Sequence, residues 1–190
     1  RRGRRARRKP ENLEQVASHA AIANRPVAIN ERRRLGDLEG DTVLGPPGTG
    51  GVVTLVDRRS RYTIITKTKT KNARRVRQRI QLRLDRLAPQ QRRSITFDNG
   101  TEFARCHLLE RRLGLRVYFA QPGRPYQRGT NENTNGLIRQ YFPKGTDFRG
   151  ISHVAVADVE NRLNDRPRAC LGYSTPREVF FEKHPPAGCD

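Results

Sequence analysis

Between residues 38 and 70 short apolar stretches separated by polar turns predict a meander of three strands. Residues 38–44 (LEGDTVL) predict a first strand, and residues 61–70 (RYTIITKTKT) a third. Between them residues 52–57 (VVTLVD) run almost continuously apolar, as suits a strand covered on both faces. Gly45, Pro46, Pro47, Gly48, Gly50 and Gly51 break the first interval, and residues 58–60 turn the second. A helical period follows. Ala73, Val76, Ile80, Leu84 and Leu87 share one face of a helix over 72–87, while Arg74, Arg75, Arg77, Arg79, Arg83 and Arg86 populate the others. Residues 94–98 and 115–121 predict two more strands, with a helix over 101–113 between them. Thr101 is placed to cap that helix and Gly114 to end it. Further helices are predicted over 131–141 and 152–164, and from Thr175, where Thr175-Pro176-Arg177-Glu178 forms a capping box with Pro at the first helical position. The order βββαβαβα with additional helices predicts a mixed α/β sheet in one domain.

Charge changes this picture most. Thirty-nine Lys and Arg against 19 Asp and Glu leave 190 residues with a net charge of +20. Such an excess favours a polyanionic partner, above all nucleic acid, with binding that falls steeply as salt rises. The Gly/Pro loop at 45–51 lacks the GK[ST] ending of a phosphate loop and leads into a strand, so that reading fails. Cys106, Cys170 and Cys189 have no paired spacing, which argues against a disulfide framework or a CxxC metal site and for a reducing compartment, the cytoplasm. No apolar run has membrane-spanning length. Residues 1–9 are almost wholly Arg, Lys, Gly and Ala, a basic arm; residues 1–35 as a whole read as linker, with 22–27 extended against the core. The chain has no Met, and the expectation is a fragment of something longer.

Three acids could be gathered by such a sheet. Asp41 lies in the first strand, Asp98 ends the fourth, and Glu132 begins a helix that could pack across both. On that helix Glu132, Asn135 and Arg139 make one polar face, and Thr134, Leu137, Ile138 and Tyr141 the apolar side that docks. Clustered carboxylates repel unless divalent cations intervene, and magnesium suits hard oxygen ligands. Two such ions, about 3.5–4 Å apart, stabilise the attacking and leaving oxygens of an in-line displacement at phosphorus. Glu39 shares a strand face with Asp41 by alternation and is a candidate support for it; Glu102 reads as favourable charge in a first helical turn.

These residues carry a family resemblance. Leu38-Glu39-Gly40-Asp41-Thr42-Val43, Thr96-Phe97-Asp98-Asn99-Gly100-Thr101-Glu102-Phe103-Ala104 and the block from Gln127 to Arg139 resemble the catalytic blocks of the IS-thirty family of bacterial insertion-sequence transposases. Residues 140–148, 163–168 and 171–176 extend the likeness, although Leu38 and Tyr126 stand where members usually carry Trp. The resemblance implies a ribonuclease-H-like core, a mixed five-stranded sheet flanked by helices with a helical C-terminal extension. It implies a DDE triad on Asp41, Asp98 and Glu132, which would be catalytic and hold Mg2+ or Mn2+, two ions. It sets the core at 36–182 and a tail at 183–190, and implies a helix-turn-helix region ahead of the basic linker.

The implied reaction is cleavage of a phosphodiester at a transposon end, then attack of the freed 3′-hydroxyl on target DNA. The partners would be double-stranded DNA and further copies of the chain assembled on it, without a membrane. Arg124, Gln127, Arg128, Asn131, Asn133, Asn135, Arg139 and Lys144 have the groups to meet phosphates or bases. Two other readings stand beside this one: a nuclease of the same fold that never joins strands, and a non-catalytic DNA-binding module.

Overall fold

The computed structural model describes residues 22–121 and 129–181. A five-stranded sheet forms in the order β3-β2-β1-β4-β5. Its strands are β1 (Asp37–Leu44), β2 (Gly51–Asp57), β3 (Thr63–Thr68), β4 (Ser94–Phe97) and β5 (Arg116–Phe119). The first three form an antiparallel meander, and β4 and β5 join parallel to β1. β2 is buried along its whole length, as its unbroken apolar run requires.

Alternation divides the sheet into two cores. On one face Leu38, Val53, Leu55, Ile64, Ile95, Phe97 and Val117 meet α2 (Ala73–Leu84) and α3 (Leu108–Leu113). On the other Val43, Val52 and Ile65 meet α4 (Gly129–Tyr141) and α5 (His153–Asn164). The helix α2 starts where Asn72 accepts hydrogen bonds from the N–H groups of Arg74 and Arg75, and it buries Val76, Ile80 and Leu84. Two short helices complete the described chain, α1 (Val27–Asn30) and α6 (Pro176–Phe181). At the start of α6, Thr175 and Glu178 exchange the hydrogen bonds of the predicted capping box.

The edge strand β3 is covered rather than left open. Glu160 of α5 accepts from the Ile65 N–H at 2.6 Å, and Asn164 both accepts from the Thr63 N–H and donates to its carbonyl. Arg83 of α2 donates to the Ile65 carbonyl at 3.0 Å and to Glu160. Side chains from both layers thus satisfy backbone groups that would otherwise invite another strand.

Three local expectations change. The predicted helix over 101–113 is a 3-10 turn (Thr101–Phe103), further turns, and only then α3. Its buried residues Phe103, Cys106 and Leu109 recur every three positions, the period of a 3-10 rather than an α-helix. Gly100, not Thr101, stands at the cap position of the turn. Residues 22–30 do pack on the core, burying Ile22 and Ile29, but as short helical turns instead of an extended segment. Among the described residues no helix is long and apolar enough to cross a membrane.

Candidate active site

β1 and β4 run parallel with Leu38 opposite Ile95 and Glu39 opposite Thr96. Continued two residues further, the same register sets Asp41, in the middle of β1, beside Asp98, just past the end of β4. Glu39, Asp41, Thr96 and Asp98 then share the sheet face that α4 covers, by the period of two. Gly40 lies between Glu39 and Asp41 because nothing larger fits: a Cβ there would stand 2.2 Å from the Phe97 ring.

Both aspartates are held by their neighbours. Asp41 Oδ1 accepts the Thr42 N–H at 2.8 Å, and Oδ2 accepts from Asn135 Nδ2 of α4 at 2.9 Å. Asp98 Oδ1 accepts the Gly100 N–H at 2.9 Å, closing a tight turn, while Asn99 donates to the Ala120 carbonyl and ties that turn to the end of β5. Glu132 lies on the exposed side of α4, three residues before Asn135 and so one turn from the side chain that touches Asp41.

Beneath these acids is a buried charge network. Glu39 is fully buried; it pairs with the buried Arg58 and accepts the backbone N–H of Asn131 at 2.9 Å. Arg25, also buried, donates to Thr96 Oγ1 at 3.1 Å and to Asn30. Its guanidinium is drawn down to about 10, first by burial and then by the nearby Arg58. Cys106 is buried in apolar surroundings that push its thiol up to about 12, so it is packing and not a nucleophile.

The donor set is chemically suited to a hard divalent cation. The structure aligns Asp41 with Asp98 and sets Glu132 on the exposed side of α4, one turn from Asn135. Among the described residues no three His, Cys, Asp or Glu side chains stand close enough to share one ion.

Of the expected DNA-contacting residues, Asn133 and Lys144 are exposed. Asn131 is not a surface residue: it is fully buried, its backbone bound to Glu39. The reason is register, since Asn131 falls in line with Asn135 and Ile138 on the face of α4 that meets the sheet. Asn135 is engaged with Asp41, and Arg139 donates to the carbonyls of Leu44, Phe142 and Pro143, closing the end of α4. Tyr141 is exposed instead of docked. Arg124, Gln127 and Arg128 lie outside the described residues.

Glu102 was not legible as a site neighbour. It is buried, accepts from Thr42 Oγ1 at 3.0 Å, and crowds Gly100 from one side as Asp98 does from the other. Its spacing of four from Asp98 across Asn99-Gly100 was the available signal.

A five-stranded sheet in this order, with β4 and β5 parallel to β1 and helices on both faces, has the architecture of an integrase core. The chain belongs to the integrase core domain family, whose pattern matches residues 31–125. It is 43% identical over 181 residues to the transposase InsI of insertion sequence element IS30A from Escherichia coli (strain K12), covering 95% of this chain and 47% of that protein. The transposase of element IS4351 from Bacteroides fragilis is 40% identical over 165 residues, covering 87% and 50%. The chain therefore spans about half the length of the curated relatives it matches. The fold is similar to that of a simian T-cell lymphotropic virus intasome chain (TM-score 0.65, 18% identity, 81% of this chain and 57% of that one). It is also similar to the catalytic core domain of BIV integrase (TM-score 0.57, 19% identity, 76% and 93%).

Proposed function

We propose that this chain is the catalytic core of a DNA transposase that cleaves phosphodiester bonds at transposon ends and joins the freed 3′-hydroxyl to target DNA. The observation that carries the reading is the alignment of Asp41 with Asp98, with Asn135 bonded to Asp41 and Glu132 one turn away. Asp41, Asp98 and Glu132 are the catalytic triad and would hold magnesium or manganese, two ions. Bound there, such ions would neutralise charge on the attacking and leaving oxygens.

The chain's own groups prepare that site. Asn135 and the Thr42 N–H fix the rotation of the Asp41 carboxylate, and the Gly100 N–H fixes that of Asp98. Glu132, exposed on α4, completes the set by turning its side chain towards them. Arg124, Gln127, Arg128, Asn133 and Lys144 meet the DNA backbone, and the net charge of +20 brings the duplex to it. Several copies assemble on DNA, in the cytoplasm.

The test is a strand-transfer assay with a pre-cleaved DNA end, a supercoiled plasmid and magnesium or manganese. Joined products that vanish in Glu132→Gln support the reading. Nicking without joining, lost in the same variant, makes the chain a nuclease. Salt-sensitive binding without chemistry leaves a DNA-binding module.

A further inference from the structure

Three arginines from distant parts of the chain converge at the start of α4. Arg32 follows α1, Arg61 sits in the turn between β2 and β3, and Arg168 lies beyond α5. They line one cavity of about 350 Å³ with Thr130 and Asn133. Thr130 Oγ1, buried, accepts from Arg61 Nη1 at 3.0 Å and from Arg32 Nη2 at 3.4 Å. Arg168 donates one Nη2 bond to the Leu163 carbonyl, and its Nε is buried without a partner. Among the described residues lining the cavity there is no carboxylate.

The backbone is bent to make this arrangement. Only three described non-glycine residues have positive φ: Arg32 at 56°, Arg61 at 63° and Tyr173 at 65°. Two are cavity arginines. The third serves Arg168, for the Tyr173 N–H donates to the Arg168 carbonyl at 3.0 Å, and the Arg168 N–H donates to the Ser174 carbonyl at 3.1 Å. A left-handed non-glycine residue is strained, and such strain persists where the surroundings over-determine it. Like charges gathered without an acid are costly too. Burial, and then Arg61 and Arg58, hold the Arg32 guanidinium below its usual value; burial and then Arg166 do the same to Arg168. An anion in the cavity would relieve both.

We infer that the Arg32–Arg61–Arg168 cavity is a binding site for one backbone phosphate of DNA, separate from the carboxylates. Thr130 precedes Glu132 by two residues, so a phosphate seated here lays its strand across the beginning of α4. The guanidiniums present planar donors suited to phosphate oxygens. This site rests on the proposed function for the identity of its anion.

The experiment measures duplex-DNA affinity of the chain against salt concentration. Arg61→Gln/Arg168→Gln is compared with Arg149→Gln/Arg162→Gln, which removes the same charge from exposed ion pairs with Asp147 and Asp158. The pocket variant should lower the slope of log K against log salt by about 0.9, one phosphate's worth, and the control should leave it unchanged. Equal slopes in the two variants overturn the site. Wild-type protein that joins strands while the slopes are equal overturns the site alone. Absence of salt-dependent binding by wild type overturns the functional reading with it.

A second measurement needs no pocket substitution. Cys170 is exposed and lines the cavity, so in a Cys189→Ser background saturating duplex DNA should slow its alkylation several-fold. An unchanged rate overturns the site.

Discussion

Glu39 in the middle of β1 accepts a hydrogen bond from the backbone N–H of Asn131, at the start of α4. One buried carboxylate therefore ties the strand that carries Asp41 to the helix that carries Glu132, with Arg58 as its counter-charge.

Glu39→Gln should destabilise the chain by about 3 kcal/mol, because it strands a buried guanidinium. Replacing both partners, Glu39→Met with Arg58→Met, should recover most of that loss in urea denaturation. Strand transfer by the double variant should stay low, since the tether to Asn131 is gone. Recovery of activity along with stability would show that Glu39 only balances charge.

Asn135→Ala removes the donor to Asp41 Oδ2 without touching an acid. A supporting contact of this kind is worth about 10–100-fold in activity or metal affinity. The expected signature is a rightward shift in the manganese concentration that gives half-maximal joining, at unchanged thermal stability. A uniform drop at every manganese concentration would place Asn135 elsewhere in the mechanism.

Gly40→Ala drives a methyl group into the Phe97 ring. Overpacking of this sort costs about 1–3 kcal/mol. Because Gly40 and Phe97 sit one residue before the two aspartates, relief by strand separation would also part Asp41 from Asp98. Phe97→Leu in the same chain should restore stability, and joining activity should return with it.

Asp57 gives a pH dependence. It is fully buried at the end of β2, and burial pushes its carboxyl from 3.8 to about 6 against the N–H groups of Gly36, Arg59 and Ser60 and the Ser60 hydroxyl, all of which donate to it. The folded state therefore holds the proton more tightly than the unfolded chain. That contribution is complete below about pH 4 and lost as pH rises through 6, by about 3 kcal/mol. Denaturation midpoints of wild type against Asp57→Asn, taken between pH 4 and 7, should converge as pH rises. A wild-type advantage that grows with pH would mean that the four donors outweigh burial.

The strands were legible because their signal is local. Within each strand successive side chains face opposite layers, and Glu39 falls in line with Asp41 for the same reason. The aspartates could be chosen because each ends or interrupts an apolar run at a place the sheet order makes adjacent. What escaped depends on contacts across the chain. Asn131 and Asn135 look alike in sequence, yet packing buries the first and gives the second to Asp41. Glu102 looks like a surface helix acid until the 3-10 turn folds it under Thr42. The arginine cavity draws residues 32, 61 and 168 from three loops, and no periodicity links them.

Five acids, Asp37, Glu39, Asp57, Glu102 and Glu160, are withdrawn into the interior, while among the described arginines only Arg25 and Arg58 are buried with them. At contact range the surface is therefore more strongly cationic than the composition alone implies. The molecule should behave as one half of a complex coacervate with any long polyanion. Solutions should cloud near one chain to about 20 phosphates, where net charge vanishes, and clear again on either side or on adding salt.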